Sequence, residues 1–385
     1  MGPLAGLKII EVTGLGAAPY CGMMLADMGA EVIRVDRVSA PRDTANPRDP
    51  LIRGRRSIAL NLQSEAGVEA LLKLVEQADA LFEGFRPNVA ERLGFGPKLC
   101  LERNPKLVFG RLTGWGQEGP LAHAAGHDIN YIALSGALHS IGRYGQKPVA
   151  PLNLIGDFGG GGLLLAFGMV CALLEAGRSG KGQVVDAAML DGAASLMSMF
   201  FGFAANGWFD DATGSHLLGT AAPFYDTYET ADGKYISIGS LETQFFEQLL
   251  ELTGLDPRQF SGAGFKGVGR SMDTSAWPEL REALESVFRE KTRDQWCSIM
   301  EGTDVCFAPV LGLSEVHLHP HNTVRETIIE IDGVRQPAPA PRFSRSRLSI
   351  PETGSRAGAD SDLILSDWGF SVAEISALHE NGGIA

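Results

Sequence analysis

Short apolar runs separated by amphipathic stretches set the rhythm of the first third of the chain. Leu7-Lys8-Ile9-Ile10-Glu11-Val12 ends at Gly14, and a small-residue helix follows to about Met28. Glu31 to Asp36 reads as the next strand, with further strands at Ser57 to Leu62, Ala80 to Phe85 and Leu107 to Leu112 and a helix at about Ser64 to Gln77. Strands spaced by helices of this length pair in parallel, which predicts an open α/β sheet of Rossmann-like character.

The pattern changes twice. From His127 to about Phe209 the chain is rich in glycine and alanine and reads as helical. Within it Asp157 stands before Gly159-Gly160-Gly161-Gly162 at the head of an apolar helix, and Gly177 to Gly182 reads as a loop. From Pro223 onward, Phe224 to Glu229 and Lys234 to Ile238 flank Asp232-Gly233, a hairpin signal. Helices at Thr243 to Leu252 and Trp277 to Glu290 complete a smaller α+β unit reaching about Val316. Thr327 to Val334 reads as another hairpin arm, Pro337 to Pro341 as an extended linker and Ser371 to His379 as a helix.

Composition narrows the function classes. With 385 residues, 33 Lys+Arg and 46 Asp+Glu, the formal net charge is −13. That excess argues against a general nucleic-acid binder or a polybasic membrane-surface protein, both of which need a basic face. A polyanionic ligand must therefore be met by local arginines. The richest apolar stretch, Leu163 to Leu174, is shorter than the roughly 18 residues of a membrane span, and Met1-Gly2-Pro3-Leu4 shows no secretory n-region. Five scattered cysteines fit buried thiols in a reducing compartment, so a soluble, cytoplasmic protein is expected.

Two motifs suggest chemistry that their details undercut. Gly14-Leu15-Gly16-Ala17-Ala18-Pro19, followed by a strand ending in Asp36, resembles a dinucleotide fingerprint, but Pro19 replaces the third glycine and Arg37 follows the acid. His317, His319 and His321 alternate as strand neighbours around a metal would, but Pro320 interrupts the run and no carboxylate or thiol completes a ligand set. No metal site is expected.

Three residues sit in more particular settings. His127 lies in Gly126-His127-Asp128-Ile129-Asn130-Tyr131 just before an apolar helix, Asp157 borders the glycine run, and Glu242 follows a strand and precedes Phe245-Phe246. A histidine and a carboxylate at loop–helix junctions can form an acid/base pair. They can equally serve as caps and strand ends.

Nearly the whole chain resembles the α-methylacyl-CoA racemase branch of the family III CoA-transferase superfamily. The resemblance rests on Leu25 to Arg37, Phe82-Glu83-Gly84-Phe85-Arg86-Pro87, Thr113 to Gln117, Gly126 to Tyr131, Pro151 to Asp157, Ser179 to Ala187 and Ala222 to Tyr228. His127 is the discriminating position, because transferase branches tend to place an aromatic residue there.

What the resemblance implies is a two-base 1,1-proton transfer next to a CoA thioester, without metal or organic cofactor, CoA being part of the substrate. It assigns His127 and Asp157 as the bases on opposite faces, Glu242 as the partner orienting the imidazole, and the backbone N–H of Asp128 as the enolate donor. It assigns Arg37, Leu60-Asn61-Leu62-Gln63, Arg86, Arg92, Gly126 and Tyr131 to CoA, and Met189, Met197 and Met199 to an adaptable acyl surface. It further implies an interlocked homodimer in which residues 1–210 and 323–385 form a large discontinuous α/β domain around a smaller one at 211–322. Two other readings stay open within it: CoA transfer between carboxylic acids through a mixed anhydride at Asp157, and an inactive CoA-ester binding protein. Gly219-Thr220-Ala221 replaces the branch's usual Asp-Gly-Gly, and Thr243 its usual proline, which leaves the acyl group open.

Overall fold

The computed structural model describes residues 2–12, 14, 16–39, 46–260, 262–267 and 274–385; Met1 and Leu15 of the motifs above lie outside them. In chain order its elements begin β1 (Lys8–Val12), α1 (Ala17–Asp27), β2 (Glu31–Arg37), β3 (Arg56–Leu60), α2 (Glu65–Val75), β4 (Ala80–Glu83), α3 (Val89–Leu93), α4 (Pro97–Arg103) and β5 (Val108–Thr113). There follow α5 (Asp128–Leu134), α6 (Ala137–Ser140), a π-helix (Leu154–Leu163), α7 (Leu164–Ser179), β6 (Val184–Ala188), α8 (Met189–Leu196) and α9 (Ser198–Ala205). The remainder is β7 (Tyr225–Glu229), β8 (Tyr235–Gly239), α10 (Thr243–Thr253), α11 (Pro257–Phe260), α12 (Trp277–Phe288), α13 (Arg293–Met300), β9 (Phe307–Pro309), α14 (Pro320–Val324), β10 (Ile328–Ile331), β11 (Val334–Pro337), α15 (Ser361–Asp367) and α16 (Val372–Glu380).

The chain divides into two compact units, one of residues 1–135, 152–196 and 324–385, the other of 136–151 and 197–323. Relative to the boundaries expected from sequence, 136–151 and 197–210 fall in the second unit. The first unit carries a six-stranded sheet in the order β3-β2-β1-β4-β5-β6, every pair parallel. Period-two alternation sends Ile10, Val35, Ile58 and Leu81 to one face, under α2, α15 and α16, while Ile9, Val32, Ala80 and Phe82 meet α1 and α7 on the other. Residues 382–385 return to β3: the Asn61 N–H donates to the Gly383 carbonyl (2.8 Å), and Leu60 bridges Ile384.

Three local readings need correction. β6 interrupts the segment expected to be helical throughout, α7 continues to Ser179 through the start of the expected loop, and Cys171 and Cys306 are exposed thiols. The apolar stretch is also longer than its sequence suggests. The π-helix and α7 run on as a 26-residue helix, Leu154–Ser179, long and apolar enough by length and composition to cross a membrane. At the glycines of this helix neighbours lie too close for side chains. A Cβ at Gly160 would stand 2.6 Å from the Ala193 nitrogen, and one at Gly162 would stand 2.4 Å from the Ala17 carbonyl oxygen. Facing them, a Cβ at Gly192 would meet the Gly160 carbonyl at 1.9 Å. Gly192→Ala is expected to destabilise the protein by about 1–3 kcal/mol through overpacking, read as a lowered midpoint in thermal unfolding.

The second unit is α+β. The antiparallel sheet β7-β8-β9 packs with α10, α12 and α13 around Phe224, Tyr228, Phe246, Leu284 and Trp296. Gly233, at φ 70°, makes the β7–β8 turn that Asp232-Gly233 announced. His317 lies in a 3₁₀ turn, while His321 belongs to α14 and His319 pairs with Glu301 at 2.8 Å, so the three imidazoles share no strand face. Among the described residues no three His, Cys, Asp or Glu side chains gather as a metal-binding group.

Candidate active site

The first unit brings His127, Asp128 and Asp157 into one constellation. His127 is the N-cap of α5, and its backbone N–H donates to Asn130 Oδ1 (3.0 Å), closing the first turn. Its residue surface is exposed. Asp128, the first helical residue, turns inward, and its Oδ2 accepts the backbone N–H of Asp157 at 2.7 Å. Burial pushes the Asp128 carboxyl up from its ordinary value and the charge of Asp157 adds to this, while N–H donation from Asp157 and Gly156 pulls it back. The Asp128 side chain is thus a tie between α5 and the π-helix, and its backbone sits where the unpaired N–H groups of a helix start are available.

Asp157 lies in the first turn of the π-helix, a rare conformation that recurs at functional sites. Asn153 Nδ2 donates to its Oδ2 (3.0 Å), fixing the carboxylate from four residues upstream. Gly16, at φ 68°, presents its backbone to the same oxygen, which a Cβ would approach to 3.4 Å. The left-handed φ of Gly16 is what calls for glycine in the first βα turn. Asp36 is buried, and its Oδ2 accepts from Arg34 Nε (2.8 Å) and Ser57 Oγ (2.6 Å).

Tyr131 shapes the loop in front of His127. Its hydroxyl donates to the Gly126 carbonyl and its ring meets Trp115 edge-on at 4.8 Å. A Cβ at Gly114 would stand 2.1 Å from that ring, which accounts for the Gly114-Trp115 and Gly126-His127 signatures together. Burial raises the Tyr131 phenol above its usual range, with Asp157 adding to the shift and Arg86 opposing it.

At the carboxyl end of the sheet, Arg37 and Leu60, Asn61, Leu62 and Gln63 line a cavity of about 430 Å³. Phe85, Val89 and Leu93 form its other wall and were not picked out by sequence reasoning; their only signal was their place beside Arg86 and Arg92. A second cavity of about 450 Å³ lies against Arg37 and is lined by Ala59, Gly358, Ser361 and His379. Arg92 lines a different hollow, beside Gln63 and Val68, and Arg86 is exposed on the β4–α3 loop. Met189 packs against Gly161 at the π-helix.

The second unit holds Glu242, Met197 and Met199. Glu242 is the exposed N-cap of α10, with Thr243 at the first helical position, where a proline is also well accommodated. The Cys306 thiol is raised by burial and by the Glu242 charge. Met197 caps α9 and Met199 is exposed on it. Thr220, in the triplet that departs from the branch, takes a left-handed φ of 74°, a conformation that suits glycine.

Comparison with known proteins follows the same lines. A sequence profile of CoA-transferase family III matches residues 4–360. The alpha-methylacyl-CoA racemase of Mus musculus is 42% identical over 98% of this chain and 96% of its own, and that of Homo sapiens 40% identical over the same shares. A CAIB/BAIF family protein from Brucella suis shares the fold at a TM-score of 0.79, with 24% identity, covering 95% of this chain and 99% of its own.

Proposed function

The chain belongs to CoA-transferase family III, and from that membership we propose that it interconverts (2R)- and (2S)-2-methylacyl-CoA thioesters. The observation that carries the reading is His127 at the head of α5, tied through the buried Asp128 carboxylate to the backbone of Asp157, in a chain 40–42% identical to two proteins named as such racemases.

In the proposed reaction His127 removes the α-proton from one face and Asp157 delivers a proton to the other. Inversion requires two groups, since one base returning its own proton regenerates the starting hand. The enolate oxygen would accept the backbone N–H of Asp128, and such a pre-aimed donor is worth roughly 3 kcal/mol in the transition state. Arg37 and residues 60–63 would hold the nucleotide half, the arginine fork suiting phosphate oxygens, with Arg86, Arg92, Gly126 and Tyr131 as further CoA contacts. The nucleotide phosphates are thereby met locally in spite of the acidic total charge.

The proposed assembly is a cytoplasmic homodimer in which Glu242 of the partner subunit orients the imidazole, Met189, Met197 and Met199 face the acyl chain, and the substrates belong to branched-acyl metabolism. The exposed row Leu163, Phe167, Val170 and Leu174 supports an assembly, because helical spacing puts these four on one face of the continuous helix Leu154–Ser179.

Incubating one epimer of a 2-methylacyl-CoA with the protein in deuterated water tests the chemistry. Deuterium should enter at C2 while the other epimer accumulates. Retention of the C2 proton with no epimer formed would end the proposal.

A further inference from the structure

We propose that Glu83 and Arg111 are positioning residues for the nucleotide half of the substrate, acting through the β4–α3 loop that carries Phe85 and Arg86. The inference rests on the functional reading above but concerns groups that touch neither the proposed bases nor the cavity itself.

Glu83 is the last residue of β4, fully buried, and Arg111 faces it from β5 in the parallel register. One Glu83 oxygen accepts the backbone N–H of Phe85 (2.5 Å) and the other accepts Arg111 Nε (3.0 Å). Arg111 then reaches past Glu83 with both terminal nitrogens to Glu91 on α3 (2.8 and 3.2 Å). The loop is therefore held at both ends: at Phe85 directly, and at α3 through a forked arginine. Phe85, Val89 and Leu93, on the two tethered segments, form one wall of the cavity whose opposite wall is Arg37 and residues 60–63. A charge-assisted tether is stronger and more directional than a neutral one, so the wall position follows the ionised network.

The electrostatics give this a measurable signature. Burial pushes the Glu83 carboxyl up to about 7, against the pull of the Phe85 N–H and Arg111, with Glu91 adding to the rise. The groups facing it are Arg111 on β5 and Glu91 on α3; β1 places Val12 opposite it in the sheet, α1 brings Ala18 against Gly84, and Asp186 on β6 lies beyond Arg111. Raised above the ordinary carboxylate value, Glu83 is ionised and tethering at pH 8 and protonated at pH 6, where the ion pair with Arg111 lapses.

The test measures KM and kcat for a 2-methylacyl-CoA, and binding of free CoA by calorimetry, from pH 6 to 9 for the unaltered protein, Glu83→Gln and Glu91→Gln. Glu91 is 38% exposed at its side chain, so its replacement removes the outer tether without orphaning a buried charge. Glu83→Gln should raise KM and the CoA dissociation constant by roughly tenfold at pH 8, with kcat within about twofold. The KM gap between Glu83→Gln and the unaltered protein, about tenfold at pH 8, should close as pH falls, since the unaltered protein loses its tether below pH 7. Ligand phosphates titrate in both proteins, so the difference between the profiles is what reports Glu83. Glu91→Gln should show a smaller rise in KM. Parallel pH profiles with unchanged KM, or a loss confined to kcat, would overturn the proposal while leaving the racemase reading intact. Failure of the unaltered protein to bind CoA at all would overturn both.

Discussion

Replacing His127 with alanine is expected to lower the rate of epimerisation by about 10²–10⁴-fold, the usual contribution of a positioned general base. That loss corresponds to about 3–5 kcal/mol of transition-state stabilisation. The fold should be unaffected. His127 is exposed, and the bond that closes the first turn of α5 is donated by its own backbone N–H to Asn130 Oδ1, which alanine retains, so the thermal midpoint should stay close to that of the unaltered protein. The two-base scheme makes a sharper prediction. His127→Ala should still exchange the α-hydrogen of the epimer that faces Asp157, returning deuterium with the same hand, while exchange of the other epimer is lost. Asp157→Asn should show the reverse preference. Proton NMR of each epimer in deuterated water, with chiral separation of the products, reads both quantities. Undiminished epimerisation in either variant would remove that residue from the mechanism.

The second large effect is on stability. Glu11 on β1 and Arg55 form an ion pair in which both side chains are fully buried. Gly22 of α1 leaves room for it: a Cβ there would lie 2.2 Å from the Arg55 guanidinium. Arg55→Met strands the carboxylate, and removing one partner of a buried pair typically costs about 3–5 kcal/mol. The Glu11 carboxyl is already raised by burial, with Arg55 as the main opposing influence. Without Arg55 that rise grows. Because a protonated carboxyl needs no partner, the loss should be greater at pH 8 than at pH 5. Denaturant unfolding at the two pH values checks the sign. Replacing both residues together, Glu11→Leu with Arg55→Met, should recover much of the loss, because no charge is then left in the sheet.

This pair illustrates where sequence reasoning stops. Glu11, Arg34, Asp36, Glu83 and Arg111 all interrupt apolar strands, and on a one-sided sheet they would read as the solvent face. In a parallel sheet covered by helices on both sides they are buried instead, and beyond the Arg34–Asp36 pair on β2 they find partners from distant parts of the chain: Arg55 for Glu11, Ser57 for Asp36, Glu91 for Arg111. The partners lie 44, 21 and 20 positions away in the chain, beyond the reach of local pattern.

β6 was missed for a related reason. Val184-Val185-Asp186-Ala187-Ala188 carries an acid and two alanines, a weak strand signature, and becomes a strand through pairing with β5. The glycine run before α7 announced a helix start, but not that the helix would be of π form or that Asp157 would sit in its first turn. Gly16 was visible as a glycine, while its left-handed φ and its place beside the Asp157 carboxylate emerged only in three dimensions.

The sequence by itself determined the alternation of strands and helices, the glycine-turned hairpin at Asp232-Gly233 and the candidacy of His127 and Asp157. Those features follow from local periodicity, turn chemistry and short signatures, each contained within a few residues. Tertiary structure decided that Asp128 ties α5 to the π-helix, that Asp36 serves Arg34 and Ser57, and that Phe85, Val89 and Leu93 wall a cavity opposite Arg37. Each of these depends on which distant backbone approaches which buried polar group, and burial makes such pairing obligatory without the local sequence specifying the partner.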